Sequence, residues 1–149
     1  MQDKIAWLFS AEKIRLVSFF SLLLTAAVMD LKTRIIPDQI WIAIVCISFL
    51  PLELVRIPGV FIGIPLLAVG VTAGGIGGAD IKIAAACGLV LGLEKGILGM
   101  CLSYILLLVF HLGKKVVEQI MGKKREEQAY PLVPFLFLGM GMSQWMAVH

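Results

Sequence analysis

Six runs of apolar residues, parted by short polar turns, fill most of this 149-residue chain and constrain its fold more than any other feature. They lie at 16–29, 40–55, 60–73, 83–93, 97–112 and 132–148. A helix needs roughly 20 apolar residues to cross a bilayer, so the chain has room for about five or six crossings and no sizeable soluble domain. Composition agrees: the chain is 60% hydrophobic and 15% charged, with a mean hydropathy of +0.98. Soluble domains are nearer half apolar and a quarter charged. A water-soluble enzyme is excluded, and so is a disordered chain, which would be poor in apolar residues and rich in charge. The pattern predicts an all-α, polytopic membrane helix bundle of about six transmembrane helices, organised as a single domain over 1–149. Asp3, Lys4, Glu12, Lys13 and Arg15 precede the first run, and no small-residue cleavage site follows it. That run is therefore read as a retained span rather than a signal peptide.

Basic residues orient the bundle. Lys114, Lys115, Lys123, Lys124 and Arg125 crowd the polar stretch 113–131, which is read as a loop, and basic clusters stay cytoplasmic. Counting back one crossing at a time places 80–82 and 30–34 on the same side and both termini outside. Lys4, Lys13 and Arg15 then fall on the outer side against this rule, and are assigned to an interfacial amphipathic stretch ahead of the first span. The net charge of +3 is too small to indicate a nucleic-acid partner.

The fourth run is the informative one. Its 11 residues make about 16 Å of helix, against a hydrocarbon core of about 30 Å. To cross, it must extend into its polar flank 77–80, which draws Asp80 to the membrane surface or below it. Ala84, Gly88, Gly92 and Gly96 recur every four residues, the small-xxx-small pattern that lets helices approach closely. This short, glycine-rich helix is expected at the centre of the bundle.

Most of the ten acidic residues have ordinary homes in termini or loops, but Asp30 and Asp80 lie against apolar runs at the end assigned to the cytoplasm. An ionisable group at membrane depth costs several kcal/mol unless a partner or a function retains it. Asp30 follows the C-terminal end of its helix, where the macrodipole disfavours an anion. A pairing of Asp30 with Lys32 or Arg34, and a helix cap at Asp80, are the structural alternatives. Two carboxyls from different helices at one membrane face also suit acid–base chemistry. Within hydrogen-bonding distance they share a proton, so one can take a proton from water while the other donates to a carbonyl. That is aspartic-protease chemistry, with no covalent intermediate, cofactor or metal expected. A glycoside hydrolase would need a soluble, aromatic-lined cleft. His111 and His149, both near segment ends, make no Ser-His-Asp set. Cys46, Cys87 and Cys101 sit in apolar runs without a C-x-x-C pair and indicate neither zinc nor a disulfide framework. The competing class is a non-catalytic membrane subunit or ion carrier using the same aspartates.

Three stretches carry a resemblance. Asp30-Leu-Lys-Thr-Arg-Ile-Ile-Pro37-Asp38, then Gly77-Gly78-Ala79-Asp80-Ile81-Lys82, then Pro131-Leu-Val-Pro134-Phe135 occur in that order across nearly the whole chain. Together they resemble the signatures of type IV prepilin peptidases, the G-x-G-D class of membrane aspartic proteases. Ala79 departs from the pattern where its second glycine stands. The resemblance implies that Asp30 and Asp80 are catalytic and that Gly77, Gly78, Lys82, Pro37, Asp38, Pro131 and Pro134 support them. Asp38, just after Pro37, is expected to cap the second helix. Lys82 is expected to act on an aspartate's charge or to anchor at the interface. The implied substrate is a prepilin or pseudopilin, whose short basic leader precedes a hydrophobic helix. Its leader is expected to dock near 74–78, where glycines expose backbone for strand pairing. The long form of the family carries a cytoplasmic domain with paired C-x-x-C motifs and also methylates the pilin. This chain resembles the short, peptidase-only form, so no methyltransferase activity is expected.

Overall fold

A computed structural model describes residues 2–50, 54–73, 77–122 and 131–147. The described residues form an all-α membrane helix bundle. In order these are α1 (Gln2–Thr33), α2 (Asp38–Ser48), a 3-10 stretch (Leu54–Ile62), α3 (Gly63–Ala73), α4 (Gly78–Leu91), α5 (Leu93–Met121) and α6 (Val133–Met146). Three helical segments are long and apolar enough to cross a membrane: Ser10–Thr33, Leu54–Thr72 and Leu93–Met121. The second joins the 3-10 stretch to α3. Pro58 lies inside that 3-10 stretch, a backbone that tolerates short irregular pieces better than an α-helix tolerates proline.

The breaks between helices have local causes. α1 ends where Arg34 adopts a left-handed φ of 54° and donates its N–H to the Asp30 carbonyl at 3.2 Å. This closes the helix in the manner usually given to glycine. Gly92, at φ 86°, separates α4 from α5, a conformation side chains resist. The break therefore falls at Gly92, and Glu94, Lys95 and Gly96 belong to the first turn of α5. Gly122, also left-handed, ends α5, so helix continues through Gly113 to Met121. The stretch read as a loop from 113 is helical over nearly its first half, because 114–121 carries no proline or left-handed residue. Lys123, Lys124, Arg125 and His149 lie outside the described residues.

Helix ends collect in two groups. At one end, Asp30 of α1 meets Val133 of α6, and Asp38 of α2 meets Lys82 of α4. At the other, Glu12 of α1 accepts from Arg56 at 3.2 Å. Arg56 also donates to the Val90 carbonyl of α4 at 2.9 Å, and Ser143 of α6 donates to the Lys95 carbonyl of α5 at 2.6 Å. Arg15 belongs to this second group: it is 1% exposed and pairs with Glu12 at 3.5 Å. The assignment of Arg15 to an interfacial amphipathic stretch is thus corrected, since α1 is one continuous helix from Gln2 and turns Arg15 into the bundle. A charge in an apolar bundle is retained by pairing inside it rather than by facing lipid.

α4 is central: it packs against α2, the 3-10 stretch, α3, α5 and α6. Ile83, Ala84, Ala86, Cys87 and Val90 are almost fully buried. Gly88 crosses Gly59 so closely that a Cβ on either would overlap the other's backbone carbonyl. The small-residue stripe thus packs on the 3-10 stretch, and Gly96 extends it from α5 onto Ile62. A second seam joins α5 to α6, where Gly99 lies against Met140 and Gly139 against Ser103 and the Gly99 carbonyl. Many large apolar side chains face outward on the longer helices, among them Val17, Leu24, Ile64, Ile105 and Val109. Such a belt suits lipid and would be a liability in water.

Candidate active site

Asp30 lies in the last turn of α1 rather than beyond it, and is 7% exposed. Its Oδ2 accepts a hydrogen bond from the Val133 N–H at 3.1 Å, across 103 positions of sequence. The first turn of α6 explains why this donor is available. Pro134 has no N–H, and the N–H groups of Phe135 and Leu136 both donate to the Leu132 carbonyl, at 3.1 and 3.0 Å. Helix starts leave their first N–H groups without intrahelical partners and carry partial positive charge. The start of α6 therefore compensates an anion that the end of α1 disfavours. This is the function in the fold of the Pro131-to-Phe135 stretch: Pro131 leads into the N-cap Leu132, and Pro134 occupies the first turn.

Asp80 is the third helical residue of α4, whose N-cap is Gly77. The expectation that Asp80 itself caps the helix is corrected to this position. Its N–H donates to the Gly77 carbonyl at 3.0 Å. A Cβ on Gly77 would sit 3.3 Å from Asp80 Oδ2, whereas one on Gly78 would meet nothing within 4 Å. Ala79 is an ordinary helical residue, so its departure from G-x-G-D places no strain on the backbone.

Asp38 is the first residue of α2, and Pro37 is the N-cap. Asp38 makes no capping hydrogen bond, a correction to the expected cap. Its Oδ1 instead accepts from the Trp41 indole N–H at 2.8 Å and from Lys82 Nζ at 2.9 Å. The Lys82 ammonium also lies 5.3 Å from the Trp41 ring centroid. Lys82 therefore pairs with Asp38 and ties the start of α4 to the start of α2. These two bonds, Lys82 first, hold the exposed Asp38 carboxyl below the ordinary carboxylate range.

The fold brings Asp30, Asp80, Asp38, Lys82, Pro37, Pro131 and Pro134 to one end of the bundle. Asp30 and Asp80 come from α1 and α4, and Asp80 lies within the field of the Asp30 charge. Tyr104 of α5 also lies within the field of Asp80. Sequence reasoning missed Tyr104, Trp41 and the Val133 amide. Trp41 stands three residues after Asp38, the helical spacing for contact, but a backbone N–H carries no residue-type signal. Gly74, Gly75 and Ile76 of the expected leader-docking stretch lie outside the described residues.

These helices make a membrane helix bundle in which two carboxyls from separate helices, Asp30 and Asp80, gather at one end, Asp30 bound to the Val133 N–H at a helix start. The chain belongs to the type IV leader peptidase family, which matches residues 17–112. It is similar to a prepilin leader peptidase/N-methyltransferase of Bacillus subtilis (strain 168), with 32% identity over 139 residues. The match covers 87% of this chain and 54% of the relative, so the chain spans about half that protein's length. No solved structure matches the chain.

Proposed function

We propose that this chain is an aspartic endopeptidase that removes the leader from prepilin-like or pseudopilin precursors, with Asp30 and Asp80 as its catalytic pair. The observation that carries the reading is the convergence of these two carboxyls, 50 positions apart in sequence, at one end of the bundle. Membership of the leader peptidase family supports the substrate class. In this mechanism a water between the carboxyls gives a proton to the ionised one as its oxygen attacks the scissile carbonyl carbon. The protonated carboxyl donates to the carbonyl oxygen, and the tetrahedral intermediate then collapses. The C–N bond breaks as a proton passes to the leaving nitrogen. Asp38, Lys82, Trp41, Gly77 and the Pro131–Pro134 turn act by positioning, not by touching substrate.

In this reading residues 1–149 act as one multi-pass domain in the plasma membrane, with the site at the cytoplasmic face and both termini on the opposite side. Lys32, Arg34, Lys82, Lys114 and Lys115 at the site end favour that orientation under the positive-inside rule. Prepilin leaders are cytoplasmic, so the scissile bond and the acid pair meet at the same interface. Methyltransferase activity is not part of the proposal, since the cysteines stand singly on α2, α4 and α5 and make no paired motif. An ion-carrier reading is disfavoured because Asp30, Asp38 and Asp80 share one end and Glu12 and Glu94 the other, with no described acid between them.

The test is co-expression with a prepilin, following leader loss by mobility and mass at matched membrane levels. Wild type should cleave, Asp30→Asn and Asp80→Asn should be inactive, and Asp38→Asn should retain activity within about tenfold, the scale of small misplacements of a reacting group. Equal cleavage by all four chains would remove Asp30 and Asp80 from the mechanism.

A further inference from the structure

We propose that the backbone N–H of Val133 is a positioning group for the reaction, holding Oδ2 of Asp30 so that Oδ1 is the oxygen left to exchange a proton with water. The inference rests on the catalytic reading of Asp30 and adds what orients that carboxyl. Asp30 is buried near the C-terminal, electronegative end of α1, where the Arg34 charge just past the helix acts on it without a hydrogen bond to its carboxyl. Its described hydrogen bond comes from the other end of the chain.

The first turn of α6 is built to make that one donor dependable. With Pro134 lacking an N–H and the next two N–H groups turned to the Leu132 carbonyl, Val133 supplies the donor that remains. Val133 and Leu136 are fully buried, so the donor cannot swing outward. Behind them, the Gly139 contact with Gly99 and Ser103 sets the height of α6 against α5, and the Ser143 bond to the Lys95 carbonyl pins its far end. α6 thus acts as a strut whose start is delivered to Asp30 by packing that extends ten residues along it. Catalytic groups misplaced by about 1 Å lose on the order of a hundredfold in rate. A charge-assisted hydrogen bond from a fixed amide is one of the stronger ways to prevent such drift.

The experiment replaces residue 133 with the α-hydroxy acid of valine, which keeps the side chain and exchanges only the N–H for an ester oxygen. The full-length chain is assembled in nanodiscs and assayed on a purified prepilin. The expected result is a kcat about 10- to 100-fold lower with KM unchanged within about threefold, the signature of lost orientation rather than lost binding. The same ester at Phe137, inside the helical ladder of α6, should leave kcat within about threefold of wild type. Isotope-edited infrared spectra provide a readout independent of turnover, in which the Asp30 carboxyl band should move in the 133 ester and stay in the 137 ester. Wild-type kcat in the 133 ester, an equal loss in the 137 ester, or an unmoved Asp30 band overturns the proposal. Full cleavage by Asp30→Asn instead overturns the catalytic reading beneath it, so the two failures are distinguishable.

Discussion

Gly77→Ala should impair cleavage while leaving the fold intact, and Gly78→Ala should not impair it. The backbone at Gly77, φ −64° and ψ 136°, is open to any residue, so the substitution introduces no conformational strain. What it introduces is a Cβ 3.3 Å from Asp80 Oδ2, tighter than ordinary carbon–oxygen packing, and the carboxyl must yield by a few tenths of an ångström. If about 1 Å of misplacement costs on the order of a hundredfold, a third of that costs roughly five- to tenfold in kcat. Gly78 has open space around its Cβ position, and alanine there gains up to about 1 kcal/mol of helix propensity. Its variant should match wild type in kcat and melt at an equal or higher temperature. The assay is steady-state prepilin cleavage by purified enzyme in one detergent or nanodisc preparation, with thermal unfolding followed in parallel. Equal loss in both variants, or a Gly77→Ala enzyme indistinguishable from wild type, would refute the reasoning that this glycine exists to make room for the carboxyl.

Reversing the pair, Asp38→Lys with Lys82→Asp, should recover more activity than either single change retains, because the bond ties α2 to α4 and neither end touches substrate; a double-mutant cycle on kcat measures it. Hydrogen bonds from Lys82 and Trp41 hold the Asp38 carboxyl below its ordinary value of 3.8. The stability this clamp contributes is therefore present above that value and lost as pH falls through the lower folded-state value. The Trp41 indole N–H resonance should accordingly hold its position from about pH 8 to pH 5 and move only below about pH 4. Gly88→Ala should destabilise by about 1–3 kcal/mol or more, because its Cβ overlaps the Gly59 carbonyl; a lowered unfolding temperature with reduced activity is expected. Arg34→Gly should relieve about 1 kcal/mol of left-handed strain, and Arg34→Ala should not, which thermal unfolding of the two variants compares.

The division between what was legible and what was not follows the range of the interactions. Hydropathy is a property of consecutive residues, so the membrane class, the apolar runs and the short, glycine-rich fourth helix could be read directly. The residues Asp30 and Asp80 stood out because an acid against an apolar run is costly wherever it is placed. Helix ends were less legible. Gly92 and Gly122 end helices through positive φ, but whether a glycine adopts it depends on neighbours, and α5 ran on through Gly113. Arg15 was misread because charge alone cannot distinguish an interfacial cation from one paired inside a bundle.

By itself, then, the sequence determined the solvent this protein folds in, the helical class and the two acids that had to find a reason to be where they are. Only the tertiary structure decided that the Pro131–Phe135 turn supplies an amide to Asp30, that Lys82 belongs to Asp38, and that α5 and α6 meet through Gly99 and Gly139. The physical reason is that these partners lie tens to a hundred residues apart and meet through backbone groups or close helix crossings. Neither leaves a residue-type signature until packing brings the chains of contacts together.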